Sequence, residues 1–416
     1  YTEADVPDSP ALRWILTERH PPRHAWKEPN REEQYIDFDY ATQVAMDGEL
    51  IVFGSSADHT VRAVDSKTGN ERWHFYTEGP VRFAPVIDGD RVLVTSDDGC
   101  LYCLSRDTGD PIWRFRGGPS DAKLIGNEQM ISHWPARSGV LLDGEKIYFT
   151  AGMWSRDGVF IYCLNQKDGS VLWKNDTSGF HFATLPHASG FAGVAPQGYL
   201  ALNRNRLYVP TGRGAPACFD ARTGEFLFYE NGHGYKPHQP GGSRVMAWKD
   251  WVIFKRRSQH VEESVRYDRR LAASGAASGL YALNFRSGDP AWSLTDKNVV
   301  VGHGRHMILG GAGPVIKVDL NEVLEGYEKF WKDGKNLGPD TNLVDQHLDY
   351  TRTRPGGKLI PNPAWMTPVP YAQWQADVGQ VFVMLQAGKT VLAGGPNQIA
   401  GIDSDSGEVL WKRKVD

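Results

Sequence analysis

Seven short apolar runs are spaced along the chain, and each is bounded by turn-forming residues. Runs of this length between turn signals are typical of β-strands. They lie at 49–55, 91–97, 146–152, 206–212, 251–257, 306–312 and 390–396. The pattern therefore predicts a protein built mainly from short strands.

A hairpin motif follows six of these runs. Each copy has a small residue, an apolar residue, a polar turn, a glycine and, four positions later, Trp or Phe228. The copies are 63–73, 103–113, 163–173, 218–228, 282–292 and 401–411. Aspartate, asparagine and serine form local turns, and glycine adopts the positive φ of tight hairpins. An altered seventh copy lies at 315–331, with an enlarged turn and Trp331 out of register.

The repeat predicts the fold. With one further strand before each run, as in 80–89, every unit supplies four antiparallel strands, which is a propeller blade. We therefore predict an all-β, seven-bladed β-propeller with four-stranded antiparallel blades and long loop insertions. Residues 41–416 are expected to form this single domain, and residues 1–40 an N-terminal extension packing on it. The recurring tryptophan is expected to pack between adjacent blades.

Charge and hydropathy exclude several partners. Lys and Arg total 46, Asp and Glu total 50, and the pI is near 6.4, which does not favour nucleic-acid binding. No apolar run is long enough to cross a membrane, so no membrane partner is expected. The chain opens at Tyr1 without an initiator methionine, and we interpret this as removal of a leader. We expect a secreted or periplasmic monomer.

The cysteines have a structural interpretation. Cys100 and Cys103 resemble a CxxC pair, but Cys103, Cys163 and Cys218 occupy one column of the repeat, where other copies have alanine or glycine. Residues three apart on a strand point to opposite faces, which disfavours a shared metal. We predict four buried thiols that act as small apolar side chains.

Residues 45–416 resemble the pyrroloquinoline-quinone-like β-propeller repeat family, on the strength of the six hairpin motifs. Quinoprotein alcohol dehydrogenases of that family hold the quinone under a disulfide between adjacent cysteines, and this sequence has no adjacent cysteines. We therefore expect no required cofactor and no bound quinone, which weakens a quinone-dependent dehydrogenase as the function. A structural metal ion stays open, with its ligands unknown.

The stretch 96–140 is similar to secreted propeller proteins of environmental bacteria, and the chain also resembles propeller-type ulvan lyases. That resemblance implies β-elimination from a uronic acid, in which a histidine takes a proton, a tyrosine donates one and an arginine neutralises the carboxylate. By motif order, these residues would be His133, Tyr199 and Arg213, with Arg204 or Arg137 as alternatives to Arg213. Substrate contacts are assigned to Arg137, His181, His187, Arg204, Arg244, His303 and Arg305.

The functional hypothesis is a secreted polysaccharide lyase that cleaves an ulvan-like, sulfated algal glycan. The alternative is a non-catalytic propeller that binds a glycan or a protein, since propellers host many activities. Each candidate also has a structural interpretation: His133 as a hydrogen-bonded loop residue, Tyr199 as part of the core, and the arginines as surface ion pairs.

Overall fold

The computed structural model describes most of the chain between residues 41 and 415 and part of the N-terminal segment. The described residues are 6, 10–18, 20–26, 38–39, 41–180, 182–184, 189–191, 193–212, 215–229, 242–257, 278–288, 290–295, 297–303, 305–332, 365–366 and 368–415. They fold as an all-β, seven-bladed propeller with four-stranded antiparallel blades, so the predicted fold class is confirmed.

Blades one to four follow the chain in order. Blade one is β1 (Val44–Asp47), β2 (Leu50–Gly54), β3 (Thr60–Asp65) and β4 (Glu71–Tyr76), and blade two is β5 (Val86–Asp88), β6 (Arg91–Thr95), β7 (Cys100–Ser105) and β8 (Pro111–Arg116). A hairpin of β9 (Lys123–Gly126) and β10 (Gln129–Ser132), then β11 (Ser138–Gly139), precedes blade three: β12 (Leu141–Asp143), β13 (Lys146–Ala151), β14 (Phe160–Asn165) and β15 (Val171–Asn175). After the pair β16 (Phe182–Thr184) and β17 (Ser189–Phe191), β18 (Gly198–Tyr199) pairs with β11, and blade four is β19 (Ala201–Asn203), β20 (Arg206–Val209), β21 (Ala217–Asp220) and β22 (Phe226–Phe228).

Blades five to seven complete the set. Blade five is β23 (Val245–Trp248), β24 (Trp251–Arg257), β25 (Ser278–Asn284) and β26 (Pro290–Thr295), extended by the short parallel strand β30 (Trp365–Met366). Blade six is β27 (Lys297–His303), β28 (His306–Gly311), β29 (Val315–Asp319) and β31 (Ala372–Ala376), with helix α1 (Leu320–Lys332) and a 3-10 turn (Val369–Tyr371) inserted. Blade seven is β32 (Val383–Ala387), β33 (Thr390–Gly395), β34 (Gln398–Asp403) and β35 (Val409–Lys414).

The chain divides into two compact units. The N-terminal unit contains residues 12–254 and 285–288, and the C-terminal unit contains residues 1–11, 255–284 and 289–416. In the N-terminal unit, the apolar core lies between successive blades: one cluster joins blades one and two, and others join blades two and three and blades three and four. No helix in the described part of the chain is long and apolar enough to span a membrane.

The repeated tryptophan packs between blades, as predicted from the sequence. Trp73 of blade one lies on Gly109 of blade two, where a Cβ would come within 2.5 Å of the indole ring. The indole N–H of Trp73 also donates to the carbonyl of Arg106, at 2.7 Å. Gly109 has a φ of 76°, so both the turn and the close approach require glycine there.

The sixth blade differs from the sequence prediction. Residues 315–331 do not form a hairpin: β29 is followed by helix α1, and the fourth strand is β31, about forty residues further along the chain. Asp319 accepts the backbone N–H of Asn321, at 2.9 Å, as a helix N-cap does. Trp374 of β31, rather than Trp331, lies on the turn glycine of the next blade, Gly407. Although 320–332 contains Gly326, this glycine does not lie where the tight turn of the other copies has its glycine, and the apolar residues of the segment recur at helical spacing.

The N-terminal segment makes a contact with blade one that the sequence did not reveal. Trp14 lies on Gly69 of blade one and donates to the carbonyl of Ser66, at 3.0 Å, which are the contacts that Trp73 makes with blade two. Trp14 thus occupies the position that a preceding blade's tryptophan takes elsewhere in the unit.

Replacing Trp14 with alanine is expected to lower the free energy of unfolding by about 2 kcal/mol, less than a fully buried tryptophan because Trp14 is partly exposed. Urea unfolding followed by circular dichroism measures the change. Ile15→Ala is the control, since Ile15 is 72% exposed and should change stability by about 0.5 kcal/mol or less. Equal losses in the two variants would contradict the assignment.

Candidate functional site

In the N-terminal unit, the long loops lie at one end of the strands. Antiparallel strands alternate in direction, so the loops between second and third strands share an end with the connections between blades. Ser132 of such a connection donates to the carbonyl of Asp97, at 2.7 Å, and Gly152 donates to the carbonyl of Pro135, at 3.0 Å. We call this the loop end, and we call the end with the tight hairpins the turn end.

The predicted site residues are divided between these ends. His133, Arg137, Tyr199 and Arg244 lie at the loop end, on the connections between blades. Arg204 lies instead in the β19–β20 hairpin at the turn end, where it pairs with Asp250 at 3.1 Å. His303 and Arg305 lie in or beside the corresponding hairpin of blade six, β27–β28. Arg213, His181 and His187 are outside the described residues.

The loop-end His133 forms an ion pair at the surface. Its Nε2 lies 3.1 Å from Oδ2 of Asp157, and the two side chains are 34% and 38% exposed. When Nε2 carries the proton and donates it to the carboxylate, Nδ1 presents a lone pair. The carboxylate therefore orients the ring. This arrangement suits a group that accepts a proton from a ligand.

Trp134 contacts this pair directly, and a second tryptophan, Trp154, lies in the same turn as Asp157. Trp134 packs against the His133 ring, with centroids 4.7 Å apart, and donates its indole N–H to the carbonyl of Asp157, at 2.6 Å. Trp154 begins the turn that ends at Asp157, whose N–H donates to the Trp154 carbonyl at 3.0 Å. Trp26, from the N-terminal segment, meets Trp154 edge-on, with centroids 5.1 Å apart. One aromatic ring, that of Trp134, thus contacts the His133 ring, and a second, that of Trp154, lies in the turn that carries Asp157.

Tyr199 lies in a different set of contacts. Its hydroxyl accepts the backbone N–H of Ala84, at 2.9 Å, and its ring packs edge-on against Phe83. Arg244 lies over the same ring, 5.5 Å from its centroid. None of the contacts described for Tyr199 is shared with those described for His133. The structure therefore does not show the two as one catalytic pair.

Arg137 is held in a buried ion-pair network. Its Nε and Nη2 donate to the two carboxylate oxygens of Asp97, at 3.2 and 3.1 Å, and 1% of its side chain is exposed. Arg82 binds the same carboxylate at 2.7 Å and also reaches Asp39 of the N-terminal segment, at 3.0 Å. A substrate contact by Arg137 would require this network to open.

The N-terminal segment covers the network. Ala25 donates its backbone N–H to the Asp39 carboxylate, and Arg82 also donates to the carbonyl of Arg23, at 2.5 Å. Trp26 lies over the guanidinium of Arg137 and donates to Gln197, at 2.9 Å. The segment packs on the propeller through these contacts. Trp26 also links the buried network to the surface around His133.

His59 is a loop-end residue that sequence reasoning missed. It lies between β2 and β3 with a φ of 61°, an uncommon conformation for a residue other than glycine. Its Nε2 is 3.4 Å from the amide nitrogen of Gln129. The amide oxygen of Gln129 accepts a hydrogen bond from Arg82. Burial lowers the pKa of His59, although the charge of Asp97 opposes this. No sequence motif marks His59, because its partners come from distant parts of the chain.

The four cysteines lie on the third strands of blades two, three and four. All four thiols are free and buried. Cys103, Cys163 and Cys218 pair across the strands with aromatic residues, as Cys103 does with Trp113, whereas Cys100 pairs with Arg116. Burial raises the pKa of Cys103 to about 11, which keeps it protonated. These separate thiols do not fit the ring of adjacent cysteines that holds a quinone. Within the described ranges, no three His, Cys, Asp or Glu side chains converge as metal ligands.

A curated relative and two solved structures are similar to this chain. Tetrathionate hydrolase from Acidithiobacillus ferrooxidans is 26% identical over 259 residues, 59% of this chain and 42% of that protein, so the chain spans about two fifths of its length. The europium-containing methanol dehydrogenase matches with a TM-score of 0.52 at 11% identity, over 89% of this chain and 77% of that one. Quinohemoprotein alcohol dehydrogenase from Comamonas testosteroni matches with a TM-score of 0.51 at 11% identity, over 92% of this chain and 67% of that one. At such identities, the structural likeness shows the fold alone.

A family profile covers more of the chain. The profile described as "Outer membrane protein assembly factor BamB" matches residues 23–158 and 156–316, which together exceed half of the 416 residues. The matched region includes five of the six hairpin copies, the buried network and the loop carrying His133. The chain therefore belongs to this family of pyrroloquinoline-quinone-like β-propellers.

Proposed function

We propose that this protein is a polysaccharide lyase that cleaves a uronic-acid-containing glycan, with His133 as the proton acceptor. The observation that carries the proposal is the partly exposed His133–Asp157 pair, which contacts Trp134 and shares a turn with the exposed Trp154. A neutral imidazole that a carboxylate orients through one nitrogen can accept a proton at the other, and surface tryptophans offer apolar area to a sugar. Neither a buried histidine nor an isolated one would combine these properties.

The reaction needs three groups. In β-elimination, the base removes the proton from C5 of the uronate, the electron pair forms the C4–C5 double bond, and the C4–O bond breaks. The departing oxygen then takes a proton. Nδ1 of His133 takes the first proton, and Asp157 stabilises the resulting cation. A nearby cation must also stabilise the enolate that develops on the carboxyl group.

The cation is best supplied by Arg156. It is exposed and lies in the turn between Trp154 and Asp157, on the same loop as the partner of His133. Arg137 is a weaker candidate because Asp97 already binds its guanidinium. Arg213 stays a prediction, since it is outside the described residues.

Tyr199 stays the predicted proton donor. Its hydroxyl accepts from Ala84 and can still donate, because a phenol does both. Its contacts with Phe83 and Arg244 favour a structural role as well. We also propose that the protein acts outside the cytoplasm, as a monomer and without a cofactor, where polymeric glycans are accessible.

A second candidate function is hydrolysis of tetrathionate or a similar sulfur oxyanion. The tetrathionate hydrolase relative favours it, with 26% identity over 259 residues. In this case the His133–Asp157 pair would activate a water molecule as the nucleophile. A third candidate, a non-catalytic scaffold, is favoured by the description of the matched family as an assembly factor.

Parallel assays distinguish these functions. The full chain is incubated with ulvan and other uronate polymers while the ultraviolet absorbance of unsaturated uronate is followed, and separately with tetrathionate while thiosulfate is titrated. A rise in absorbance supports the lyase, and thiosulfate release without it supports the hydrolase. If no uronate polymer gives a signal, the lyase proposal is wrong.

A further inference from the structure

We propose that Trp154 forms a sugar-binding platform beside the His133–Asp157 pair and stacks on a pyranose ring of the glycan next to the bond that is cleaved. This inference rests on the proposed function and adds a binding residue to the same site. It assigns to Trp154 a role in substrate affinity, separate from proton transfer.

Trp154 is held in place although it is exposed. The residue is 38% exposed, and its backbone is fixed by the hydrogen bond from the Asp157 N–H to its carbonyl, at 3.0 Å. Trp26 packs edge-on against the ring, with an interplanar angle of 89°. Because the ring is already ordered, binding a ligand to it loses little conformational entropy.

Trp26 is itself anchored to the propeller. Its indole N–H donates to Gln197 at 2.9 Å, and its ring lies over the buried guanidinium of Arg137, 5.5 Å away. The support for Trp154 therefore comes from a rigid part of the unit rather than from the loop alone. Single exposed apolar side chains are common, but they are seldom supported in this way.

The surroundings of Trp154 fit a sugar. A pyranose has an apolar face of C–H groups and a rim of hydroxyls, so it needs a ring to stack on and polar groups at the edge. Trp154 supplies the ring, and Asp157 and Arg156 follow within the same turn. The exposed charge of Arg156 favours an acidic sugar over a neutral one. We therefore commit to an acidic oligosaccharide as the occupant.

Binding is measured with purified ulvan oligosaccharides by titration calorimetry, in the His133→Ala background so that turnover does not interfere. Trp154→Ala in this background is expected to weaken binding about 5- to 10-fold, the range for one aromatic stacking contact. Trp154→Phe should keep the affinity within about threefold, because phenylalanine retains a ring face. Tyr76→Ala is the matched control, since Tyr76 is an exposed aromatic residue of blade one, and it should bind like its parent.

The outcomes separate this inference from the proposed function. If Trp154→Ala binds as tightly as its parent while the protein with native His133 cleaves ulvan, the platform is wrong and the lyase stands. If the His133→Ala parent binds the oligosaccharides with an affinity that depends on Trp154, but the protein with native His133 cleaves no uronate polymer, the platform stands and the lyase is wrong. Absence of binding by the parent overturns the platform. Circular dichroism confirms that each variant is folded.

Discussion

Replacing His133 with alanine is expected to lower kcat on a uronate polymer by about 10²- to 10⁴-fold, the usual contribution of a positioned acid–base group. The loss follows because the variant keeps the aromatic surface but has no nitrogen to accept the C5 proton. KM should change little, since stacking on Trp154 is unaffected. Initial rates of unsaturated product formation measure both constants.

A second histidine provides a matched control. His74 also lies within hydrogen-bonding distance of a carboxylate, Glu71, at 2.7 Å, and it is exposed on β4. His74→Ala should keep full activity, because its pair lies outside the loop that carries Trp154. Asp157→Asn should be intermediate in rate, because a neutral amide orients the ring less firmly than a carboxylate does. If His133→Ala retains the kcat of the unaltered protein, His133 is not the base.

The fold could be predicted because its determinants are local and repeated. Each hairpin carries its own turn residues and glycine, so the signal lies within eleven residues and recurs along the chain. The glycines adopt the positive φ expected of them, from 69° to 78° in the six copies. The interblade packing of Trp73 also followed from the repeat, because one tryptophan per blade requires one equivalent environment per blade.

The structure differs from the sequence prediction where the repeat is interrupted. In blade six, the chain replaces a tight turn with helix α1, and the fourth strand resumes only at Ala372. A search for short-range hairpins selects Trp331 because it is close to β29 in the sequence. The tryptophan that packs on Gly407 is Trp374, which lies further along the chain. Trp14 was missed because it makes the contacts of a repeat tryptophan but lies in a segment that lacks the hairpin motif.

The candidate site could be predicted only in part. His133 and Arg137 lie on a long connection between blades, and the length of that connection was visible in the sequence. Their partners were not visible, since Asp157 and Asp97 follow other strands, and an ion pair has no sequence spacing when it joins separate loops. Arg204 shows the converse: a short β19–β20 turn places it at the turn end, although it is near Tyr199 in sequence.

Replacing Asp97 with asparagine is expected to lower the free energy of unfolding by about 3–5 kcal/mol, because it removes the shared partner of two buried arginines. The variant keeps the shape of the side chain but removes the carboxylate that Arg82 and Arg137 share. Of the two arginines, only Arg82 then keeps an ion pair, with Asp39. Urea unfolding at neutral pH measures the loss. It should be among the largest for any single charged residue of the N-terminal unit.

The same carboxylate determines a pH dependence. Burial alone would raise the pKa of Asp97, but the charges of Arg137 and Arg82 outweigh it and hold the pKa below its usual value. A lowered pKa in the folded state gives stability that is complete above the unfolded value, about 3.9, and is lost as the pH falls through the folded value. The difference in stability between the native chain and Asp97→Asn should therefore shrink on acidification.

Asp250→Asn is the control, because its pair with Arg204 is exposed and should contribute about 1 kcal/mol or less at any pH. Equal stability of Asp97→Asn and Asp250→Asn at neutral pH would show that the network does not hold the N-terminal segment on the propeller.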